Sequence, residues 1–303
     1  MNNSTNTCTI SIADKALFDS YIKKALVTAS ELNFTNLFIW RKYYDIEFIE
    51  YEGFLNIISK GTIGKPFCFF PIGDYSDKSG LVSSIEMLKR YFFEKDWHFV
   101  MSRVSKEQLN LLLECFADKV IYEEDRANFD YIYSYESMSS LAGKKLDGKR
   151  NHINKFKKLY SSEYILISEK DINDCKDIME NWIASRKEQD DTEISTEKTA
   201  TYELLDNFSE LNVKGAIVLV NGKPEAFTIG EMTANETVVV HVEKANASIQ
   251  GLYPFINQQF LVNAWQGAKY VNREQDLGIE GLRKAKLSYN PVHFIEKFTV
   301  RDC

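Results

Sequence analysis

The chain has 303 residues, 44% hydrophobic and 27% charged, with a formal net charge of -7. That length suits about two domains at ~150 residues each, and the acidic balance excludes a general nucleic-acid coat, which needs a basic surface throughout. No run approaches the ~20 apolar residues that span a bilayer, and the start lacks the layout of a secretion signal. Cys8, Cys68, Cys115, Cys175 and Cys303 are scattered without CxxC spacing, so no metal site or disulfide framework is expected and a reducing cytoplasm fits best.

After the polar start MNNSTNT, the segment IEFIEYEGFLNIIS (46–59) predicts two short strands broken at Gly53. KPFCFFPIG (65–73) predicts a third, continuously apolar one. LVSSIEMLKRYFFEK (81–95) sets Leu81, Ile85, Leu88 and Phe92 on one helical face. WHFVMSRV (97–104) predicts a buried strand, KEQLNLLLECFAD (106–118) a second amphipathic helix, and NFDYIYSYESM (128–138) a further strand.

A basic stretch follows: GKKLDGKRNHINKFKK (143–158) carries seven Lys or Arg against one acid, Asp147. YILISE (164–169) predicts a strand, DINDCKDIMENWIASRKEQ (171–189) a helix with Asp171 as N-cap, and TYELLDNFSEL (201–211) another helix. Residues 215–233 read as a hairpin turning at Asn221-Gly222, the strongest short turn signal. TVVVHVEKA (237–245) adds a third strand of the meander. A helix (252–268), a strand (269–276), a short helix (278–289) and a last strand (293–301) complete the pattern. This is the element order of the GCN5-related N-acetyltransferase fold, and two copies fit the length. The expectation is an α/β (α+β) chain of two tandem acyltransferase-like domains, 1–140 and 141–303, the second including the basic junction 143–158.

In that fold coenzyme A binds where the meander's last strand parts from its neighbour, with its pyrophosphate on backbone amides and a helix N-terminus. The matching stretch, ANASIQGLYPF (245–255), offers Gln250 and Gly251 but places Tyr253 at the second small position. The structural alternative makes Gly251 a permissive residue entering a helix. The densest polar cluster is NREQDLGIEGLRKAKLSYNP (272–291), with Arg273, Glu274, Asp276, Arg283, Lys284, Lys286 and Tyr289. Arg283 and Lys286 share a helix side that Tyr289 extends; the bland alternative is an Asp276 cap with surface ion pairs. In the basic stretch, Arg150, Asn154 and Lys158 share a face with Lys157 beside it, while Ile153 and Phe156 point inward. That row suits successive phosphates of an RNA acceptor stem or nucleotide-linked donor, against the alternative of a solvated charge run.

RNHINKFKK (150–158), GLYPFINQQF (251–260) and VNREQDLGIEGLRKAKLSYNP (271–291) together resemble the phosphatidylglycerol lysyltransferase C-terminal-domain-like family over essentially the whole chain. The resemblance implies two GCN5-related domains and aminoacyl-tRNA-dependent transfer onto a lipid head group, with the Fem ligases as peptidoglycan-modifying relatives. The sequence shows no counterpart of the multi-helix membrane part of the lipid-modifying members, so a small-molecule or peptide acceptor stands beside a lipid one. The implied donor is aminoacyl-tRNA or acyl-coenzyme A, with no other cofactor. Asp276 or Glu243 is the expected proton acceptor, with His241 behind them. Tyr289 is the expected acid, and Arg283 and Lys286 the electrostatic clamp. Glu231 is expected to touch the acceptor, and Gln250, Gly251, Tyr253, Asn257, Arg273 and the basic row to bind the donor. Three functions follow: aminoacyl-tRNA transferase, acyl-coenzyme A-dependent N-acyltransferase, or a non-catalytic ligand-binding module.

Overall fold

The computed structural model describes residues 6–61, 64–186, 191–233 and 236–303, and the side chains of all of these except 118, 191–193 and 302. Contacts divide the chain into two units: residues 1–130 with 275–278 and 295–303, and residues 131–274 with 279–294. This differs from a single cut at 140. The last strand and a short loop belong to the first unit, because their hydrogen bonds and ion pairs lie there.

The first unit begins with β1 (Cys8–Thr9), α1 (Lys15–Ala25) and α2 (Phe34–Tyr44), in a region where the sequence pattern named no element. Asn33 caps α2 by accepting the Asn36 amide at 2.8 Å. The two strands expected on either side of Gly53 are β2 (Ile46–Tyr51) and β3 (Phe54–Ser59), which pair as an antiparallel hairpin. The predicted strand 65–73 is instead two fragments, β4 (Phe67–Cys68) and β5 (Ile72–Gly73). Pro66 and Pro71, which lack an N–H, flank and interrupt the ladder. α3 (Lys78–Glu94) packs Leu81, Ile85, Leu88 and Phe92 into the core as the periodicity required, each 0% exposed. β6 (Met101–Ser105) is shorter than expected and runs straight into α4 (Lys106–Phe116). A capping box sets that boundary: Gln108 accepts the Ser105 amide at 2.9 Å, and Ser105 accepts the Gln108 amide at 3.3 Å. β7 (Ile121–Glu124) follows.

The second unit opens with β8 (Asp130–Ser134), then α5 (Tyr135–Ser140), α6 (Asp147–Leu159), β9 (Ser162–Leu166) and α7 (Ile172–Ala184). The segment 128–138, expected as one strand, changes to helix where the Ser134 hydroxyl accepts the Ser137 amide. Asp171 does not cap α7 with its side chain; it accepts from the Ser168 amide and hydroxyl in the preceding turn. Residues 187–189 of the predicted helix lie outside the described residues. α8 (Asp191–Asp206) and α9 (Phe208–Leu211) replace the single helix expected over 201–211.

The meander is β10 (Lys214–Val220), β11 (Lys223–Met232) and β12 (Thr237–Ala245). Its first turn has Asn221 at φ 51 and Gly222 at φ 81, the left-handed pair of a type I′ hairpin. α10 (Leu252–Ala264), β13 (Tyr270–Asn272), α11 (Glu280–Leu287) and β14 (His293–Ile295) complete the unit. Its sheet order is β14-β8-β13-β12-β11-β10-β9. The core joins α10 and α6 to the sheet, with Phe156, Ile256 and Val238 each 0% exposed. The expected last strand splits after β14, and β15 (Lys297–Asp302) lies between β6 and β7 in the first unit's sheet.

β15 is anchored in the first unit by buried charge. Lys297 and Asp130, both 0% exposed, pair at 2.7 Å, and Lys297 also pairs with Glu31. Asp130 further accepts the Ser30 amide at 2.8 Å and Gln275 at 2.7 Å. Burial pushes the Glu31 carboxyl up, Lys297 pulls it down, and Asp130 adds to the rise.

Candidate active site

In the second unit, β12 and β13 pair in parallel over three rungs, Thr237–Tyr270 to Val239–Asn272. There they part. Asn272 accepts the Glu274 amide at 2.8 Å, Glu274 takes φ 56, and Arg273 and Glu274 stay bonded to Tyr131 of β8. The far half of β12 is thus left without a β13 partner. A bulge re-aims it as well: Ile229 pairs Val242 and Gly230 pairs Val240, so His241 is the extra residue. Gly230 suits the facing position, since a Cβ there would collide with the Val239 carbonyl.

His241, with its side chain fully buried, meets Glu231 at Nε2 (2.9 Å) and Glu274 at Nδ1 (3.0 Å). Both ring nitrogens face acceptors, which only the imidazolium satisfies. Burial works to lower its pKa, but the hydrogen bonds and charges of the two carboxylates prevail and lift it to about 9. His241 is therefore already protonated at neutral pH, which corrects its expected role as a proton acceptor.

Two residues further along β12, Glu243 accepts Arg273 at 3.0 Å and Asn257 of α10 at 2.7 Å. Arg273 also hydrogen-bonds Tyr289 and stands 5.0 Å from its ring centre. Burial opposes the charge on Arg273, but Glu243 and the tyrosines hold it cationic. Burial keeps the Tyr289 hydroxyl protonated, pushing it up to about 12 while Arg273 acts against the rise. Lys149 of α6 lies 4.2 Å from the centre of the Tyr289 ring. Its pKa is lowered by burial and then by Arg273, with Glu243 opposing. Glu243, Arg273, Tyr289, Asn257 and Lys149 thus form one cluster. The Glu243 and Arg273 side chains keep 10% and 16% exposure, so solvent reaches it.

Lys149 is the residue that sequence reasoning missed. Its signal was present, because Lys149 precedes Ile153 by four and Phe156 by seven, on the buried stripe of α6. The neighbouring outward row of cations masked it.

Other expectations change. Asp276 belongs to the first unit, is 0% exposed, pairs with Arg126 at 3.2 Å and accepts the Gly278 amide at 2.8 Å. It is spent on an ion pair and a turn in the first unit, not on the Glu243 and Arg273 cluster of the second, which is at odds with its expected role as proton acceptor. Lys286 is buried and its ammonium donates to the Arg273 carbonyl, securing the turn after β13 instead of clamping a ligand. Arg283 lies half-buried on α11, three residues before Lys286. Arg150 pairs with Asp147 and donates to the Leu141 and Gly143 carbonyls, so it is occupied by its own helix start. Asn154, Lys155, Lys157 and Lys158 are exposed, and Lys157 stands 5.7 Å from the Phe255 ring centre. Among the described residues, Lys144, Lys145, Lys155, Lys157 and Lys158 have no acidic partner.

The expected coenzyme ground is built differently from an open cradle. Gly251 takes φ 90 at the start of α10, where an added Cβ would collide with the His152 carbonyl of α6. The Tyr253 hydroxyl accepts the Trp182 indole at 3.0 Å and hydrogen-bonds the Ala245 backbone at the end of β12. Gln250 is exposed in the turn before them. No group of His, Cys, Asp and Glu among the described residues could hold a metal ion, and none of their helices is long and apolar enough to cross a membrane.

Residues 24–301 match the family described as "Phosphatidylglycerol lysyltransferase, C-terminal". A conserved protein of unknown function from Bacteroides thetaiotaomicron is similar at 35% identity and TM-score 0.90, covering 99% of this chain and 100% of that one. L-PGS from Bacillus licheniformis shares the fold at 15% identity and TM-score 0.65, covering 95% of this chain and 91% of that one. A tandem GNAT protein from the clavulanic acid biosynthesis pathway shares it at 6% identity and TM-score 0.54, covering 98% of each. The fold is therefore the tandem GCN5-related one. An uncharacterised protein of Mycoplasmoides gallisepticum is 23% identical over 61% of this chain, and the match spans 59% of that curated relative's length.

Proposed function

We propose that this chain, which belongs to the phosphatidylglycerol lysyltransferase C-terminal family, moves an aminoacyl group from tRNA to an amine or hydroxyl acceptor. The observation that carries the choice of donor is the filled coenzyme ground. The α6 backbone lies against Gly251, and Tyr253 takes the Ala245 amide, positions where a thioester donor would need bare backbone. The lysines on and before α6 that meet no acid among the described residues supply phosphate contacts instead.

In the proposed reaction the acceptor attacks the ester carbonyl carbon, a new C–N or C–O bond forms, and the C–O bond to the terminal ribose breaks. Arg273 and Lys149 stabilise negative charge on the carbonyl oxygen. Tyr289, held protonated, gives its proton to the departing ribose oxygen and takes the one that the acceptor releases. Glu243 fixes Arg273. The buried imidazolium of His241 ties Glu231 to Glu274 and so holds the parted strands, and positioning supplies much of the rate.

The test pairs two measurements. Purified protein is mixed with tRNA bearing radiolabelled amino acids and a panel of amine, peptide and lipid-head-group acceptors, and thermal shifts are recorded with coenzyme A thioesters. Transfer from charged tRNA, lost by roughly 10²–10⁴-fold in Tyr289→Phe with tRNA binding retained, is the expected result. Stabilisation by a thioester with no response to charged tRNA would replace this donor by acyl-coenzyme A.

A further inference from the structure

The chemistry above leaves one buried group unused. Asn257 is 3% exposed, and its Nδ2 donates to Glu243 Oε2 at 2.7 Å. That bond fixes the amide's orientation, because the opposite flip would set two acceptors face to face. Oδ1 must then point away from the carboxylate, and it meets no donor among the described residues. A buried amide oxygen without a donor is costly, so a bound partner carrying N–H groups is favoured there. Glu243 adds capacity: it receives Asn257 on one oxygen and Arg273 on the other, and a carboxylate offers about four acceptor positions.

We propose that Asn257 and Glu243 form the subsite for the free α-amino group of the transferred aminoacyl moiety. The inference rests on the aminoacyl-transfer reading and deepens it. Arg273 touches both Glu243 and Tyr289, so this acceptor pair stands one side chain away from the proposed proton donor. An aminoacyl ester carries its donor nitrogen one carbon from the reacting carbonyl, so a single ester presents both groups to this cluster. The carbonyl faces Arg273, Lys149 and Tyr289, and the amino group turns to the acceptors on the other side of Arg273. An acyl group lacking that nitrogen leaves Oδ1 without a partner and is discriminated against for that reason. Arg273 is already matched by Glu243 at 3.0 Å, so its repulsion of the amino group is limited.

The experiment uses the unmodified chain and matched probes. Calorimetry measures binding of the α-amino amides of the twenty amino acids, and of the same amides with the α-amino group deleted or acetylated. The tightest amide is expected to bind at least tenfold better than its deaminated twin, with the acetylated form weaker still. In Asn257→Leu, with circular dichroism unchanged, the preference disappears. Equal binding of amide and deaminated twin, or no binding of any amide, overturns the subsite, as does a folded Asn257→Leu that keeps the preference. If the variant does not fold, the probe pairs on the unmodified chain still decide. Transfer from charged tRNA without any preference for the amino group would sink this subsite alone, whereas a response to thioesters only would sink the donor assignment with it.

Discussion

Replacing His241 with Gln tests the electrostatics of the parted strands directly. The imidazole rises from an ordinary 6.5 to about 9 in the fold, because two carboxylates outweigh its burial. At ~1.4 kcal/mol per pH unit this links roughly 3 kcal/mol of stability to its proton. A raised folded pKa means that the native chain keeps a proton which the unfolded chain gives up. The contribution is therefore whole below pH 6.5 and fades as pH climbs through about 9. Urea unfolding followed by tryptophan fluorescence should show His241→Gln about 3 kcal/mol less stable than the parent at pH 6, with the gap closing by pH 9.5. NMR of the ring nitrogens should show one histidine, absent in the variant, titrating near 9. A gap of equal size at both pH values, or a resonance titrating near 6.5, would refute the charge assignment.

Gly251→Ala should cost at least ~2 kcal/mol in denaturant midpoint, since it adds left-handed strain to a collision with the His152 carbonyl; a neutral effect would show α6 and α10 to be less closely apposed. Changing Lys155, Lys157 and Lys158 together to Ala should weaken tRNA binding far more at low salt than at high. It should also flatten the slope of log K against log salt by roughly 0.7–0.9 for each phosphate that is no longer neutralised, and equal weakening at all salt concentrations would detach the row from phosphate. Lys297→Met strands Asp130 and Glu31 without their cation and should cost about 3–5 kcal/mol by chemical denaturation. A loss under ~1 kcal/mol would mean that this ion cluster contributes little to net stability.

Where local chemistry dictates geometry, the sequence was readable. Asn221-Gly222 forced the hairpin, and the spacing of Leu81, Ile85, Leu88 and Phe92 fixed the buried face of α3. Long motifs carried the fold. Arg273 and Tyr289 were picked for their crowding and Glu243 as a proton acceptor under the family resemblance, and the three side chains do converge. Proximity along the chain misled elsewhere. Asp276 stands three residues from Arg273, yet it belongs to the first unit, where its carboxylate is turned to Arg126. A bulge depends on the register of two strands, so no pattern in β12 alone could announce His241 as its extra residue. Arg150 and Lys286 look like ligand-binding cations until the backbone carbonyls that consume them are seen.

The position of β15 imposes an order of events on biosynthesis. It is the strand that joins β7 to β6, so the early-made sheet has a gap until residue 302 has emerged. Until then β6 and β7 present raw edges, and Asp130 waits for its counter-ion. The whole of the later-made unit is translated during that wait. A fragment ending near residue 140 would inherit those sticky edges permanently, and dissecting this protein at the obvious midpoint would yield an aggregating piece where a naive reading promises an independent domain.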